Sequence, residues 1–292
     1  MANYLLDNYK IIIIVLSLYT FSQSLLAKDI AIVNISRDKT DDRFKYNYQV
    51  LDTALKITQP DFGEYELKLA EQYIPKQRLI PIISKGKVVN ATIAVTNVEW
   101  EDNTIAIKIP VRRGILNYRV IMTNKQSLGS FKNISHIDQL KQLRVCLDRQ
   151  SSTWQTFNHL GFNLVNAYND RSLFTMLNKN RCDYIPRGVH EVFLELENYK
   201  SLTNLVLEPS LLLYIPAPFY IFVSPNTPKL AERFKVGMER MASQGILTAL
   251  VEDSEGEYIK RVKQTSRSVL KVGNPLLPDG APFNRAELWL KW

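Results

Sequence analysis

Short apolar runs alternate with helically spaced apolar positions along most of the chain, and the middle third shows this most clearly. There, the apolar runs at 143–147, 163–167 and 182–186 are each followed by a segment with apolar residues three or four positions apart. Such runs are typical of buried strands, and the spacing after them is typical of amphipathic helices. The resulting β-α-β-α-β-α order predicts a parallel sheet with right-handed crossovers.

Polar residues and glycines predict where several of these helices begin and end. Ser152, with Gln155 three residues later, has the pattern of a capping box, and Gly161 has the position of a helix stop. Thr227 and Pro228 predict the N-cap and first residue of a later helix. These signals place a helix N-terminus directly after the strand at 143–147.

The remaining apolar runs predict a second α/β half and two connections between the halves. The first strand set extends to about residue 111, and the second occupies about 113–223, after which a helical section can pack back on the first half. Extended segments near 110–119 and 214–223 would cross between the halves as a hinge. We therefore predict an α/β protein of two lobes, with a ligand cleft at the carboxyl ends of the parallel strands.

The N-terminus has the pattern of a secretory signal peptide. Lys10 precedes an apolar run of about ten residues, which is shorter than the roughly 20 needed to span a bilayer, and Ala27 provides a small residue for cleavage. The alternatives are a buried element and an uncleaved anchor. We expect residues 1–27 to be the signal peptide of a periplasmic protein. The predicted lobes are then 28–112 with 224–292, and 113–223.

Composition and charge narrow the function classes. The chain of 292 residues has 37 Lys and Arg against 29 Asp and Glu, a net charge of +8. The basic residues are scattered without a run of five, so we expect no nucleic-acid partner. The three His lack metal-ligand spacing, and no phosphate-binding glycine motif or nucleophile elbow occurs. We therefore expect no metal, no cofactor and no catalytic residues, and we expect a monomer.

The two cysteines exclude a disulfide-dense scaffold but leave one possible pair. Cys146 and Cys182 belong to strands that are neighbours in a 2-1-3 parallel order. The predicted register offsets the two sulfurs by two or three residues, which favours buried thiols because the Cα atoms would lie too far apart. An oxidising compartment favours a disulfide instead.

Four short segments carry a resemblance to a known family. Residues 138–145 (DQLKQLRV) are similar to "DLKGKKVGV", and 176–184 (MLNKNRCDY) to "L..GRVDAV". Residues 113–119 (RGILNYR) and 185–191 (IPRGVHE) are similar to "RGLLGYR" and "FPRGVxE". In this order the segments resemble the type 2 periplasmic solute-binding proteins, bacterial family 3, in a poorly characterised branch. The resemblance covers the chain after residue 27. It implies a two-lobed fold that closes on a small solute for an ABC-transporter permease or a sensor protein.

The chain departs from the amino-acid-binding members of that family at two places. Those members usually carry an Arg after the third strand, which clamps the α-carboxylate, and an Asp in the second lobe that holds the ammonium. Here 96–102 contains no Arg, and Arg187 or Gly188 takes the place of the Asp. We expect a small anionic or zwitterionic solute and do not assume a free amino acid.

Nine residues are candidates for binding this solute. Ser151, Ser152 and Thr153 lie at a predicted helix N-terminus, which favours an anion, although plain helix capping explains them equally well. Arg187 ends an apolar strand and suits a bidentate anion contact, or it forms a salt bridge with Glu191.

Arg119 and Tyr118 interrupt the apolar hinge strand, where Arg119 either faces the ligand or links the lobes through an acid. Trp154 and Tyr48 could stack on a ligand, although such residues are more often part of the core. Glu191 and His190 are the acid and base that an alternative function would need, that of a periplasmic small-acid dehydratase. A degenerate sensory module is a third alternative.

Overall fold

The computed structural model describes residues 28–35 and 42–292, and a five-stranded sheet forms the centre of the first lobe. Its strand order is β2-β1-β3-β10-β4. Strand β1 is parallel to β2 and β3, whereas β10 runs antiparallel to β3 and β4. The strands are β1 (Asp29–Val33), β2 (Tyr65–Leu69), β3 (Ala91–Val95), β4 (Ile105–Ile107) and β10 (Phe219–Val223).

A six-stranded sheet forms the second lobe, in the order β11-β9-β5-β8-β6-β7. Strand β6 is parallel to β7 and β8, as predicted for the middle third, while β5 is antiparallel to β8 and β9. The strands are β5 (Tyr118–Asn124), β6 (Val145–Asp148), β7 (Leu164–Ala167), β8 (Tyr184–Gly188), β9 (Leu205–Tyr214) and β11 (Ser268–Lys271). The predicted two-lobed α/β architecture is therefore confirmed.

Ten α-helices lie in the described part of the chain and cover the two sheets. They are α1 (Asp42–Lys56), α2 (Gln59–Phe62), α3 (Lys76–Lys85), α4 (Val98–Asn103), α5 (Ile137–Lys141), α6 (Ser152–His159), α7 (Asp170–Asn178), α8 (Val192–Asn198), α9 (Pro228–Ser243) and α10 (Ile246–Lys263). None of these helices is long and apolar enough to cross a bilayer. The predicted signal peptide lies outside the described residues.

Two crossing segments join the lobes and are hydrogen-bonded to each other. Buried Asn117, in the first segment, accepts from the backbone N–H of Ile215 through its carbonyl and from that of Ala217 through Oδ1, both at 2.8 Å. The first segment was predicted to be extended near 110–119, but a 3₁₀ turn at Ile115–Asn117 precedes β5. Gly114, with a φ of 74°, allows the chain to enter this turn.

Two local predictions need correction. Ser151, not Ser152, is the N-cap of α6, because the Ser151 side chain accepts from the Trp154 N–H at 3.1 Å. The prediction of buried thiols is also wrong, since Cys146 and Cys182 form a disulfide with a Cα–Cα distance of 5.7 Å. Cys182 lies in a bend before β8 begins, so its position is not set by the spacing of paired strands.

The C-terminal region contains structure that the apolar pattern did not predict. Strands β9 and β11 pair in parallel at the edge of the second sheet. The lobe boundaries at 112 and 223 stay a prediction. Strand β11 lies in a segment assigned to the first lobe, yet it hydrogen-bonds to β9 of the second sheet.

Candidate functional site

A cleft lies where the two lobes meet, with about 390 Å³ of empty space that includes open solvent at its mouth. The carboxyl end of β3 and the start of α4 form one wall, and the N-terminus of α6 forms the facing wall. The second crossing segment closes the back through Ile215 and Ala217. The carboxyl end of β3 and the helix that follows β6 thus meet at this cleft, and the carboxyl ends of parallel strands are where open α/β sheets commonly bind ligands.

The first-lobe wall is polar, and hydrogen bonds hold its groups in place. Thr96 donates from its backbone N–H to the Pro218 carbonyl at 2.9 Å and from Oγ1 to the Glu101 carboxylate at 2.6 Å. Asn97 caps α4 by accepting from the Trp100 N–H at 2.8 Å. Thr96 and Asn97 thus have their side chains oriented by hydrogen bonds within the first lobe.

The facing wall presents the first turn of α6. The N–H groups of Ser152 and Thr153 belong to a turn in which no carbonyl of the preceding helical turn is available. One turn further, buried Thr156 donates from Oγ1 to Oδ1 of Asn274 at 3.1 Å. The helix N-terminus therefore offers donors and a partial positive charge to the cleft.

Arg119 brings a positive charge to the same cleft from strand β5. Its side chain is only 13% exposed, and one terminal nitrogen lies 3.5 Å from Oε1 of Glu191. Its buried Nε donates to no acceptor among the described residues. Burial lowers the pKa of Arg119 and Glu191 opposes this, but a guanidinium remains protonated at neutral pH.

Arg119 is part of an ion-pair network of two arginines and two carboxylates. Arg187 donates from Nε to Oε2 of Glu195 at 2.7 Å and lies 3.5 Å from Glu191. The Gly188 N–H donates to Glu191 at 2.8 Å. Burial alone would raise the pKa of Glu191, but Arg187, His190 and Arg119 together hold it below its ordinary value. The Glu191 carboxylate therefore stays ionised and paired.

The structure places the predicted site residues in different surroundings. Arg119, Ser152 and Thr153 line the cleft together. Arg187 and Glu191 do not line it, and Arg187 makes the salt bridge that the sequence allowed as an alternative. Glu191 and His190 are also the acid and base of the dehydratase alternative, so that pair lies apart from the cleft lining.

Four other candidates have structural contacts of their own. Ser151 caps α6, and Trp154 packs on the core of the second lobe. Tyr118 stacks on Trp292 with ring centroids 4.9 Å apart. Tyr48 lines a separate cavity of about 360 Å³ in the first lobe. Their roles in binding stay predictions.

The C-terminal segment supplies cleft residues that the sequence analysis missed. Asn274 and Leu276 line the cleft, and Asn274 is held by donating from Nδ2 to the Pro216 carbonyl at 2.7 Å. Asn274 is followed by Pro275, and this dipeptide, which marks a turn, was the one signal that could have drawn attention to the segment. Their position depends on the pairing of β11 with β9, which local sequence does not reveal.

The rest of this segment continues across the first lobe and returns to the crossing segments. Arg285 makes two hydrogen bonds to the carboxylate of Glu239 on α9, at 2.7 and 2.9 Å. Further on, the Leu290 N–H donates to the Arg113 carbonyl at 2.6 Å. The segment that forms part of the cleft wall is thus fastened to the first lobe and to the hinge.

No family model matches this chain, and no curated protein does. Among solved structures, a histidine kinase sensor domain with similarity to periplasmic binding proteins is 15% identical, with a TM-score of 0.57 over 78% of this chain and 97% of that one. An ancestral arginine-binding protein bound to arginine is 15% identical, with a TM-score of 0.55 over 78% and 98%.

An amino-acid ABC-transporter binding protein from Streptococcus pneumoniae, bound to L-arginine, is 11% identical, with a TM-score of 0.53 over 78% and 94%. At such identities these likenesses show the fold alone. Together with the two sheets, the crossing segments and the cleft, they confirm the expected resemblance. The chain has the two-lobed fold of the type 2 periplasmic solute-binding proteins.

Proposed function

We propose that this protein is an exported binding protein that captures a small anionic or zwitterionic solute in the cleft by closure of its lobes. One observation carries the proposal. Arg119 and the first turn of α6 both line a cleft whose opposite wall comes from the other lobe. A ligand held by both walls stabilises the closed form by its differential affinity for that form.

Contacts at the rim of the cleft support the closing motion. The Gln77 side chain on α3 donates to that of Gln150 at 2.6 Å, joining the two lobes on one side. Phe193 on α8 stacks on Tyr258 of α10 with ring centroids 5.9 Å apart, and Arg261 covers its ring. The Gln77–Gln150 hydrogen bond is exposed and the ring contact is partly exposed, as expected for surfaces that separate when the cleft opens.

Export and delivery form the second part of the proposal. The predicted signal peptide and the Cys146–Cys182 disulfide both support an oxidising compartment such as the periplasm. The similar solved structures include a transporter binding protein and a kinase sensor domain, so either an inner-membrane permease or a sensor protein is the proposed partner. The solute would be delivered to the permease, or its presence would be signalled by the sensor protein.

A variant that fills the cleft tests the binding site. Gln155 lines the cleft and is exposed on α6, whereas Asn158 is exposed on the same helix and does not line it. We expect Gln155→Trp to remove the rise in melting temperature that a solute gives the wild type, and Asn158→Trp to keep it. Thermal-shift screening of anionic and zwitterionic metabolites makes the comparison.

Two results would contradict the proposal. One is a solute that stabilises Gln155→Trp as much as the wild type. The other is turnover of a small acid by the purified wild type with no solute that stabilises it. The second result would favour the enzyme alternative.

A further inference from the structure

We infer that the cleft selects a small monoanion with an apolar body and no ammonium group, a carboxylate in preference to the matching amino acid. This rests on the proposed function and narrows its ligand. Among the described residues that line the cleft, Arg119 is the one charged side chain. Among residues 28–35 and 42–292, the lining thus contains a cation for the anionic group and no carboxylate for an ammonium group.

Two acids that contact lining residues, and one that lies four positions before Ser152, are already engaged. Glu101, behind Thr96, accepts its hydroxyl and lies 2.7 Å from the Lys108 ammonium. Glu191 lies between Arg119 and Arg187, and Asp148 accepts from the Gln150 N–H at 2.9 Å. An ammonium group entering the cleft would have to compete with these partners.

The position of Arg119 within its network gives the cleft lining a positive charge. Arg119, Arg187, Glu191 and Glu195 carry no net charge as a set, but the member that reaches the lining is a cation. Its Nε is buried without an acceptor, which is a cost that an incoming anion could relieve. The N–H groups at the start of α6 add donors of the same kind on the same wall.

The remainder of the lining fits a hydrocarbon group. Val95, Ile215, Ala217 and Leu276 contribute apolar surface from the first lobe, the crossing segment and the C-terminal segment. Thr96 and Asn97 stand between them with their side chains already bonded. This combination suits a carboxylate that carries a short aliphatic or aromatic body.

Calorimetric titration of the wild-type protein with matched pairs tests the inference. Propionate and alanine, isocaproate and leucine, and hydrocinnamate and phenylalanine differ only by the amino group. We expect at least one deaminated acid to bind, and to bind at least about 10-fold more tightly than its amino acid, because Arg119 repels the ammonium group that the zwitterionic amino acid adds. Equal or tighter binding of the amino acid would overturn the inference while leaving the proposed function intact.

Variants connect this preference to Arg119. Arg119→Gln should lower the affinity for the acid at least about 10-fold. Lys200→Gln, which removes an exposed positive charge from the same lobe, should leave this affinity unchanged. Should Arg119→Gln fail to fold, Arg119→Lys keeps the charge but loses the planar donor group, and it should weaken the acid measurably. An unchanged affinity in a folded Arg119 variant would overturn the assignment of Arg119.

A complete failure of the panel has a distinct meaning. If no acid binds, with or without an amino group, at millimolar concentration, the inference is wrong. The proposed function then stands only if another solute stabilises the wild type and not Gln155→Trp. The two failures are therefore separable.

Discussion

The Cys146–Cys182 disulfide should contribute a large share of the stability of the second lobe. It closes a loop with a sequence separation of 36 residues, and both cysteines are fully buried. The chain-entropy model for a loop of this length gives about 4 kcal/mol at 25 °C. Replacing both cysteines by alanine should therefore lower the free energy of unfolding by about 4 kcal/mol, with a smaller further loss from the two buried sulfurs.

Denaturation in urea measures this difference if the slope of each unfolding curve is determined along with its midpoint. The matched control is the wild type unfolded in the presence of a reductant, which should lose nearly as much stability as Cys146→Ala with Cys182→Ala. A difference of less than about 1 kcal/mol would refute the entropic reasoning. Alkylation of two thiols in the folded, oxidised wild type would refute the disulfide itself.

Two further changes test the hinge. Gly114→Ala should lower the free energy of unfolding by about 2–4 kcal/mol, because φ is 74° and the new Cβ would lie 2.5 Å from Cε3 of Trp289; no loss in thermal unfolding would contradict this contact. Arg112→Met should cost about 3–5 kcal/mol by leaving buried Glu255 unpaired. In the wild type, burial raises the pKa of Glu255 and Arg112 opposes this rise. Without Arg112, Glu255 takes up a proton more readily in the folded variant than in its unfolded chain. The variant should therefore regain stability as the pH falls. A loss that does not shrink on acidification would contradict this account.

The parallel part of the second sheet could be predicted because its signal is local. Strands β6, β7 and β8 are apolar runs, each followed by a helix, so period and order alone identify them. The N-terminus of α6 was located to within one residue, since Ser151 and Ser152 are both capable N-caps. The same reasoning led us to expect Ser152 and Thr153 near a ligand, and both line the cleft, while their role in binding stays a prediction.

Strand β9 could not be predicted, because Glu208 and Pro209 interrupt its apolar pattern. The Glu208 side chain is buried and accepts from the backbone N–H groups of Ser210 and Leu211. A carboxyl group can therefore lie inside the sheet because nearby backbone groups hydrogen-bond to it. The pairing with β5 shifts register near this point. A polar interruption of a strand, whose hydrogen bonds form only in the folded structure, looks the same as a loop in the sequence.

The ion-pair network shows a second limit. The sequence placed Arg187 four residues before Glu191 and left a choice between ligand binding and a salt bridge. Glu195, one helical turn further, is the partner that makes the bidentate contact. Spacing identifies which charges are able to meet, but only packing decides which of them face the cleft.

The central claim is that one small solute contacts both lobes in the cleft. Hydrogen exchange of the wild type, with and without the solute found by thermal shift, tests it most directly. We expect joint protection of 95–97 in the first lobe and 152–156 in the second, and we expect both to be lost in Gln155→Trp. Protection confined to one lobe, or located away from both segments, would contradict it.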